Sequence, residues 1–532
     1  LMSNIFYQQC LIKLKNLQQF CYNRTKHKMY RREERKFKRE QVVNLENFCT
    51  SNPNEFWEKL RQLGPQSKKG IPMEVYDESN TIVCDHEQVL GKWERDFEHL
   101  YNRKVIDGED PEFEKYITDS ILLAEQNMTD PLYEENQALN GAITLKEVDT
   151  AVSKAKNKKS PGIDLLPNEI LKNPNIRTTL KELFQLCLDS GKIPTEWYKA
   201  IIKPLPKGSD NDPRVPLNYR GISLLSCCFK IFTSIINKRI TSFLDQNMEL
   251  VDEQNGFRGN RSCTDHIFAL HSIISTRLAQ KKSTFATYID FSKAFDGIDR
   301  ELLKYKMLQC GIDGKLYFLL KSMYSKTEAC VSINGINTSW FQTKSGVMQG
   351  DTLSPTLFNI FINDLALFLK DMDVGVTVDK TRVPILMYAD DVIILSNDED
   401  ELQHMLNLVY RWCKKWKMSI NQSKTKAMHF RPKNVNQCMK PLNLGPAKID
   451  YTSCYKYLGV YINEYLKFYQ HCNILSEAGT RALGSVISKL RDNEYVMFDT
   501  YTKCVESSIY PVVDYGAEVW GYVRDTATDQ VQ

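Results

Sequence analysis

The sequence predicts an α+β fold, and three observations carry that prediction. Up to about residue 280, apolar positions recur at helical spacing among polar residues. From Phe285 onward β-prone runs dominate. The tail from about residue 463 returns to a helical pattern. At roughly 150 residues per domain, 532 residues amount to three or four domain-sized pieces. A hydrophobic fraction of 42% is enough for several packed cores, and 26% charged residues is ordinary. A small stapled scaffold, a collagen-like chain and a wholly disordered chain are thereby excluded. No uninterrupted apolar run reaches about 18 residues, so a membrane span is not supported. Leu1-Met2-Ser3-Asn4 shows no basic region followed by an apolar one, so no secretory signal is visible. A start at Leu rather than Met marks an expected fragment.

Taken in order, residues 1 to about 130 read as polar helices with short apolar patches such as Phe56-Trp57, and Gly64 to Gly70 as a linker. Thr144-Leu145-Lys146-Glu147 is a capping box, followed by Leu145, Val148, Val152 and Ala155 at helical spacing. Pro167 suits the first turn of a helix through Ile170-Leu171. Ala200 to Leu205 reads as extended, and two helices are predicted at about 228–244 and 264–280. Phe285 to Asp290 is a β-run ending in an acid. Val331 to Gly335 reads as a strand entering a hairpin, with Trp340 to Thr343 returning. Ser354-Pro355 reads as an N-cap and first helical position before the buried face Leu357, Phe358, Phe361, Ile362 and Leu365. Ile385 to Tyr388 and Val392 to Leu395 are two apolar strands, expected in the middle of a sheet.

Charge and cysteine usage add less. Net charge is +4, but Arg24 to Arg39 holds nine basic residues against Glu33 and Glu34, fitting either a solvated helix face or an arm that follows a phosphate backbone. The 15 cysteines include no Cys-x-x-Cys, so paired zinc ligands are not expected and free thiols in a reducing compartment are.

The chemistry concentrates at Asp390-Asp391, the turn between the two apolar strands. Asp is a common turn residue. Carboxylates at the edge of a core, however, must be paired or bind cations. Asp290 ends another apolar strand; if that strand lies beside the hairpin, three carboxylates converge. Such oxygen ligands suit Mg²⁺, and two such ions can serve a phosphoryl transfer.

Seven segments then carry a family resemblance. Tyr388-Ala389-Asp390-Asp391 resembles the acidic box of reverse transcriptases, and Ile289 to Asp296 their first carboxylate motif. Gly346 to Pro355 is similar to their Gln-Gly motif. Asn218 to Leu225 and Gly256 to Ser262 resemble the fingers motifs, and Asn421 to Lys426 and Lys456 to Val460 the two motifs after the active site. Their order resembles the non-LTR (LINE-type) retrotransposon branch, over about residues 144 to 522.

The resemblance implies a right-hand polymerase. Fingers and a palm with a ferredoxin-like antiparallel sheet carrying the acids would span 187–462, with a fingers lead-in from about 144. A partial helical thumb would occupy 463–532, and a helical basic extension 1–140. It implies RNA-directed DNA polymerase activity, with an RNA template, a DNA primer or RNA–DNA hybrid, dNTPs, and two Mg²⁺ ions or Mn²⁺. Asp290 and Asp390 would hold both metals with the Phe291 carbonyl, and Asp391 would complete the set. Phe295 would exclude a 2′-hydroxyl, unless it is an ordinary core Phe. Gln349 and Gly350 would approach the nucleotide. Arg220, Lys203 and Lys207 would contact the triphosphate, unless the two lysines have an ordinary surface role. Lys424 is the candidate general acid to pyrophosphate. Tyr457, Leu458 and Gly459 would steady the primer end, or form a plain β-turn. Gly221, Asp351 and Thr352 depart from the family pattern and read as drift. No endonuclease domain is expected in the first 140 residues, so the chain reads as a truncated copy, nuclear or cytoplasmic. The alternative is a catalytically inactive copy that only binds RNA.

Overall fold

The computed structural model describes residues 26, 28–33, 36, 52–62, 70–102, 110–208, 211–490 and 498–521. Of the basic stretch, Lys26, Lys28, Arg31, Arg32 and Lys36 are helical and exposed; Arg24, Arg35, Lys38 and Arg39 lie outside the described residues, as does most of the Gly64–Gly70 break. The chain divides into two compact units, Gly70–Lys467 and a second made of Leu1–Lys69 with Phe468–Gln532. Among the described residues, no helix is long and apolar enough to cross a membrane.

In the larger unit a short antiparallel strand pair, Val75–Tyr76 with Ile82–Val83, precedes α1 (His86–Tyr101), which is capped by Asp85, whose side chain accepts from Gln88 N. Next come α2 (Pro111–Asn127) and α3 (Leu145–Lys154). The capping box of α3 forms as the sequence requires: Glu147 N donates to Thr144 Oγ1 at 3.2 Å and Thr144 N to Glu147 Oε2 at 2.8 Å. After α4 (Arg177–Ser190) come strands β1 (Lys199–Pro206) and β2 (Tyr219–Leu224), then α5 (Cys227–Gln246) and α6 (Cys263–Ala279). Strand β3 (Thr284–Asp290) is followed by two helices, α7 (Arg300–Gln309) and α8 (Gly314–Met323), where the sequence pattern predicted mainly strands. Next are β4 (Glu328–Ile333), α9 (Ser354–Asp371), β5 (Ile385–Tyr388), β6 (Asp391–Ser396), α10 (Glu399–Lys415) and β7 (Lys426–Phe430). The unit closes with β8 (Leu442–Leu444), β9 (Ala447–Tyr451), β10 (Cys454–Tyr457) and β11 (Val460–Asn463).

Two sheets organise this unit. One runs β5-β6-β3-β7-β9-β8; its first four strands are antiparallel, and β9 joins β7 in parallel. The other has β1 between β2 and β4. Strand β5 is therefore at a sheet edge, not in the middle as its apolar run predicted. Its exposed hydrogen-bonding side is sealed by residues 253–255, with Asn255 N donating to Met387 O at 2.9 Å and Met387 N to Glu253 O at 2.8 Å. An edge strand covered this way tolerates a continuous apolar sequence.

Ser354 is not the cap of α9; it sits in the first turn and donates its hydroxyl to Met348 O at 2.8 Å. The departures that read as drift have physical causes. A Cβ at Gly221 would meet Phe97 Cε1 at 2.7 Å and Ile202 Cγ2 at 2.9 Å, because α1 packs Trp93, Phe97 and Tyr101 onto the sheet of β1, β2 and β4. Asp351 is buried and accepts from Thr233 Oγ1 at 2.5 Å and Thr352 N at 2.7 Å, tying the start of α9 to α5.

In the smaller unit, the helices Pro53–Gln62, Tyr469–Leu490 and Phe498–Ser508 share a core of Phe56, Leu60, Val486, Leu490 and Cys504.

Candidate active site

The acidic couplet is placed by a tight hairpin. Tyr388 pairs with Asp391, leaving Ala389-Asp390 as a two-residue turn. Ala389 takes φ +55°, the sign that the strand twist demands at a hairpin turn, at a strain of about 1–2 kcal/mol for a residue with a Cβ. β6 then runs antiparallel to β3, with Asp391 directly opposite Asp290. Opposed residues share a sheet face with Cβ atoms about 5 Å apart, so the lone acid and the couplet adjoin at one end of the sheet.

Gln254, Gly256 and Asn359, none of them among the candidate site residues, support this turn. Gln254 Oε1 accepts from Gly256 N at 2.8 Å and from Ala389 N at 2.9 Å. A Cβ on Gly256 would lie 2.2 Å from Ala389 N, so only glycine lets this segment pack against the turn. Asn359 of α9 closes the arrangement by donating to Gly256 O at 2.7 Å. Beneath Asp290, Asn421 N donates to the Asp290 carbonyl at 2.7 Å, and Phe291 is buried in a bridge with Ile420.

The site is electrostatically unbalanced. Among the described residues, none of the three carboxylates has an ion-pair partner, although like charges facing across strands repel. Burial pushes the Asp290 carboxyl up, against the pull of Lys424 and a hydrogen bond from Asn421. Burial and the charge of Asp290 push Asp390 up, against Arg220. Solvent reaches Asp391, yet the protein around it strips much of its water; that and the charges of Asp390 and Asp290 push it up to about 6. Among the described residues, no three His, Cys, Asp or Glu side chains already stand in metal-holding geometry. Three adjacent anions without a counter-ion nonetheless form a donor set that fits a hard divalent cation.

Around the acids, Phe295 stacks on Phe358 at 4.6 Å and meets Phe257 edge-on at 6.2 Å. Gln349 Nε2 donates to the buried Asp296 at 2.7 Å, whose carboxyl burial pushes up to about 6. Gln349 O accepts from Ser223 N at 2.7 Å, and a Cβ on Gly350, at φ +117°, would lie 2.7 Å from Ser223 O. The Gln-Gly turn is thus clamped between β2 and the β3–α7 loop. Arg300 steadies its approach from below, donating to Gly346 O at 3.0 Å and Thr343 O at 2.7 Å. Arg220 is exposed within the field of Asp390, and Lys207 lies within the fields of Asp296, Lys424 and Arg220. Lys203 is half-buried and donates to Ser332 Oγ at 2.5 Å. Lys424 is exposed within the field of Asp290.

Leu458 and Gly459, at φ +45° and +90°, form the two-residue turn between β10 and β11, and Tyr457 is buried. Tyr455 of this hairpin stacks on Tyr288 of β3 at 4.1 Å, which docks the hairpin on the sheet face that carries Asp290.

A groove of about 1070 Å³ is lined by α3, α5 and the turn residues Gly350 and Thr352. Lys146, Lys154, Lys156, Lys159, Lys230 and Lys238 border it, and among the described residues none has a carboxylate within ion-pairing distance. Arg239 is paired with Glu147.

Residues 205–462 match the family model described as reverse transcriptase (RNA-dependent DNA polymerase). The chain is similar to the RNA-directed DNA polymerase from mobile element jockey of Drosophila melanogaster, 25% identical over 74% of this chain and 43% of that protein. It is also similar to the probable RNA-directed DNA polymerase from transposon BS of the same organism, 28% identical over 73% of this chain and 43% of that protein. A third relative, the Pol polyprotein from type-1 retrotransposable element R2 of Popillia japonica, is 29% identical over 53% of this chain and 39% of its own. The chain spans less than half the length of these relatives. Among solved structures, apo telomerase from Candida tropicalis aligns over 78% of this chain and 77% of its own at 12% identity and a TM-score of 0.38.

Proposed function

From a chain whose residues 205–462 are a reverse transcriptase domain, similar to those of non-LTR retrotransposons, we propose an RNA-directed DNA polymerase that adds dNTPs to a primer 3′-hydroxyl on an RNA template. The observation that carries the reading is Asp391 opposite Asp290, with Asp390 in the adjoining turn and, among the described residues, no cationic side chain paired to any of them.

Asp290, Asp390, Asp391 and the Phe291 carbonyl would hold two Mg²⁺ ions, with Mn²⁺ an alternative; when bound, these neutralise the phosphates and make the primer hydroxyl a better nucleophile. The protein's own work is positioning. Phe295, braced by Phe358, closes the space a 2′-hydroxyl would need. Asp296 holds Gln349 in place, and Gly350 lets the backbone approach the nucleotide. Arg220 and Lys207 neutralise the triphosphate from the fingers side, and Lys203, hydrogen-bonded to Ser332, adds a third positive charge on β1. Lys424, beside Asp290, is placed to give a proton to the departing pyrophosphate. Tyr457, Leu458 and Gly459 hold the primer end. Template sequence is copied by base pairing, so side chains need only follow backbone and shape.

Primer extension on a primed RNA template tests this. The wild-type chain should incorporate dNTPs only with Mg²⁺ or Mn²⁺, and Asp390→Ala should abolish incorporation while leaving template binding intact. No incorporation by either wild type or Asp390→Ala, with RNA bound by both, would instead support a copy that binds RNA without catalysis.

A further inference from the structure

His266, on α6 in the segment after the Gly256–Ser262 motif, is fully buried and belongs to no part of the chemistry above. Its two ring nitrogens touch two different parts of the site. Nε2 lies 2.9 Å from the Tyr457 hydroxyl, and Nδ1 lies 3.0 Å from Asn255 Nδ2. The outer end of this chain of bonds fixes their direction. Arg261 Nη1 donates to Asn255 Oδ1 at 3.0 Å, and Arg261 Nη2 is held by Asp252 at 2.9 Å. The Asn255 oxygen is therefore turned toward Arg261 and its amide nitrogen toward the histidine. An amide nitrogen only donates, so Nδ1 is the acceptor and the ring proton sits on Nε2, donating to the Tyr457 oxygen. Burial keeps the imidazole neutral, pushing it down to about 4, so this tautomer holds at working pH.

Both ends of the chain of bonds matter to the site. Asn255 N is bonded to Met387 O, and its neighbours Gln254 and Gly256 form the support of the Ala389-Asp390 turn. Tyr457 opens the Leu458-Gly459 turn. The ring also meets Tyr388 and Tyr457 at 5.8 Å each. One side chain is thus hydrogen-bonded to the support of the acidic turn and to the hairpin assigned to the primer end.

We infer that His266 is a positioning residue that locks the acidic turn and the Tyr457 hairpin in register with each other, so that the primer 3′-oxygen and the carboxylates stand at a fixed separation. The inference rests on the polymerase reading for its consequence but not for its geometry. A 1 Å misplacement of the primer end is enough to cost about 100-fold in rate, so the register should show in kcat more than in nucleotide binding.

Two measurements on the full chain test it. His266→Phe keeps the ring volume and removes both hydrogen bonds, whereas His266→Gln can restore a donor toward Tyr457. In hydrogen–deuterium exchange, segments 386–391 and 456–460 should exchange at least tenfold faster in His266→Phe while α9 stays at the wild-type rate. Unchanged exchange at both turns, or an equal increase throughout the unit, overturns the inference, and this readout stands even if the chain polymerises nothing. In primer extension at saturating template, His266→Phe should lower kcat at least tenfold with KM for dNTP within twofold. His266→Gln should recover part of the loss, and adding Tyr457→Phe to His266→Phe should lower kcat no further. A normal kcat in His266→Phe, or multiplicative losses in the double variant, overturns it. If His266→Phe fails to fold, Tyr457→Phe alone should reproduce the fall in kcat, and a normal kcat there overturns it equally.

Discussion

At the scale of single residues, burial decides which acids are kept from ionising freely. Asp351 is 7% exposed and pushed up to about 6, and its first cause is loss of water, offset by Thr233 and the backbone of Thr352 and Leu353 just before α9. Its folded pKa is above the ordinary carboxylate value, so between about pH 4 and 6 the folded chain binds more protons than the unfolded one. The stability contributed by protonated Asp351 is therefore complete below about pH 4 and is lost as pH rises through 6, to the extent of about 3 kcal/mol. Asp351→Asn should flatten the fall of the urea midpoint between pH 4.5 and 7; an unchanged slope would show that this carboxyl does not titrate in the folded chain. Phe295 makes a second prediction. Its ring is held from behind by Phe358, so Phe295→Val should open room for a ribose and reduce discrimination against NTPs about 10–200-fold, the range a steric pocket supplies. Competition between a dNTP and its ribonucleotide in primer extension measures this, and unchanged discrimination would remove Phe295 as the gate.

Secondary-structure elements show how far the sequence could be read. The hairpin carrying Asp390-Asp391, the capping box at Thr144 and the spans of α5 and α6 were legible because each is written in contiguous residues. The edge position of β5, helices α7 and α8, and the packing of α1 on the fingers-side sheet were not. A strand's place in a sheet depends on partners such as Glu253 and Asn255, more than 130 residues away, which local periodicity does not encode. Gly221 shows the same limit: it looked like drift because its reason, the ring of Phe97, sits on an element read only as polar helix. Gly221→Ala should thus destabilise the larger unit by about 1–3 kcal/mol through overpacking. Phe97→Leu in the same chain should recover part of that loss in urea unfolding; two additive losses would contradict the contact. Within the site, Asp296, Gln254 and His266 lay inside or beside recognised motifs, but only their spatial partners reveal what they hold.

For the whole molecule, the net charge of +4 says little, whereas its placement says more. Six lysines border the groove that begins at Gly350 and Thr352, and among the described residues none of them has an acidic partner. RNA binding should weaken as salt rises, and changing Lys146, Lys154, Lys159 and Lys238 together to Gln should flatten the log–log salt slope by about 3, at about 0.7 per phosphate on a single strand. Filter binding across a salt series measures it, and an unaltered slope would place the RNA elsewhere.

The proposed polymerase requires Asp290, Asp390 and Asp391 to act as one cation site, and Mn²⁺ binding followed by electron paramagnetic resonance on the chain with primed template tests that directly. Saturable binding in the wild type that is lost in both Asp290→Asn and Asp390→Asn is the predicted result. Equal binding in all three chains would contradict it.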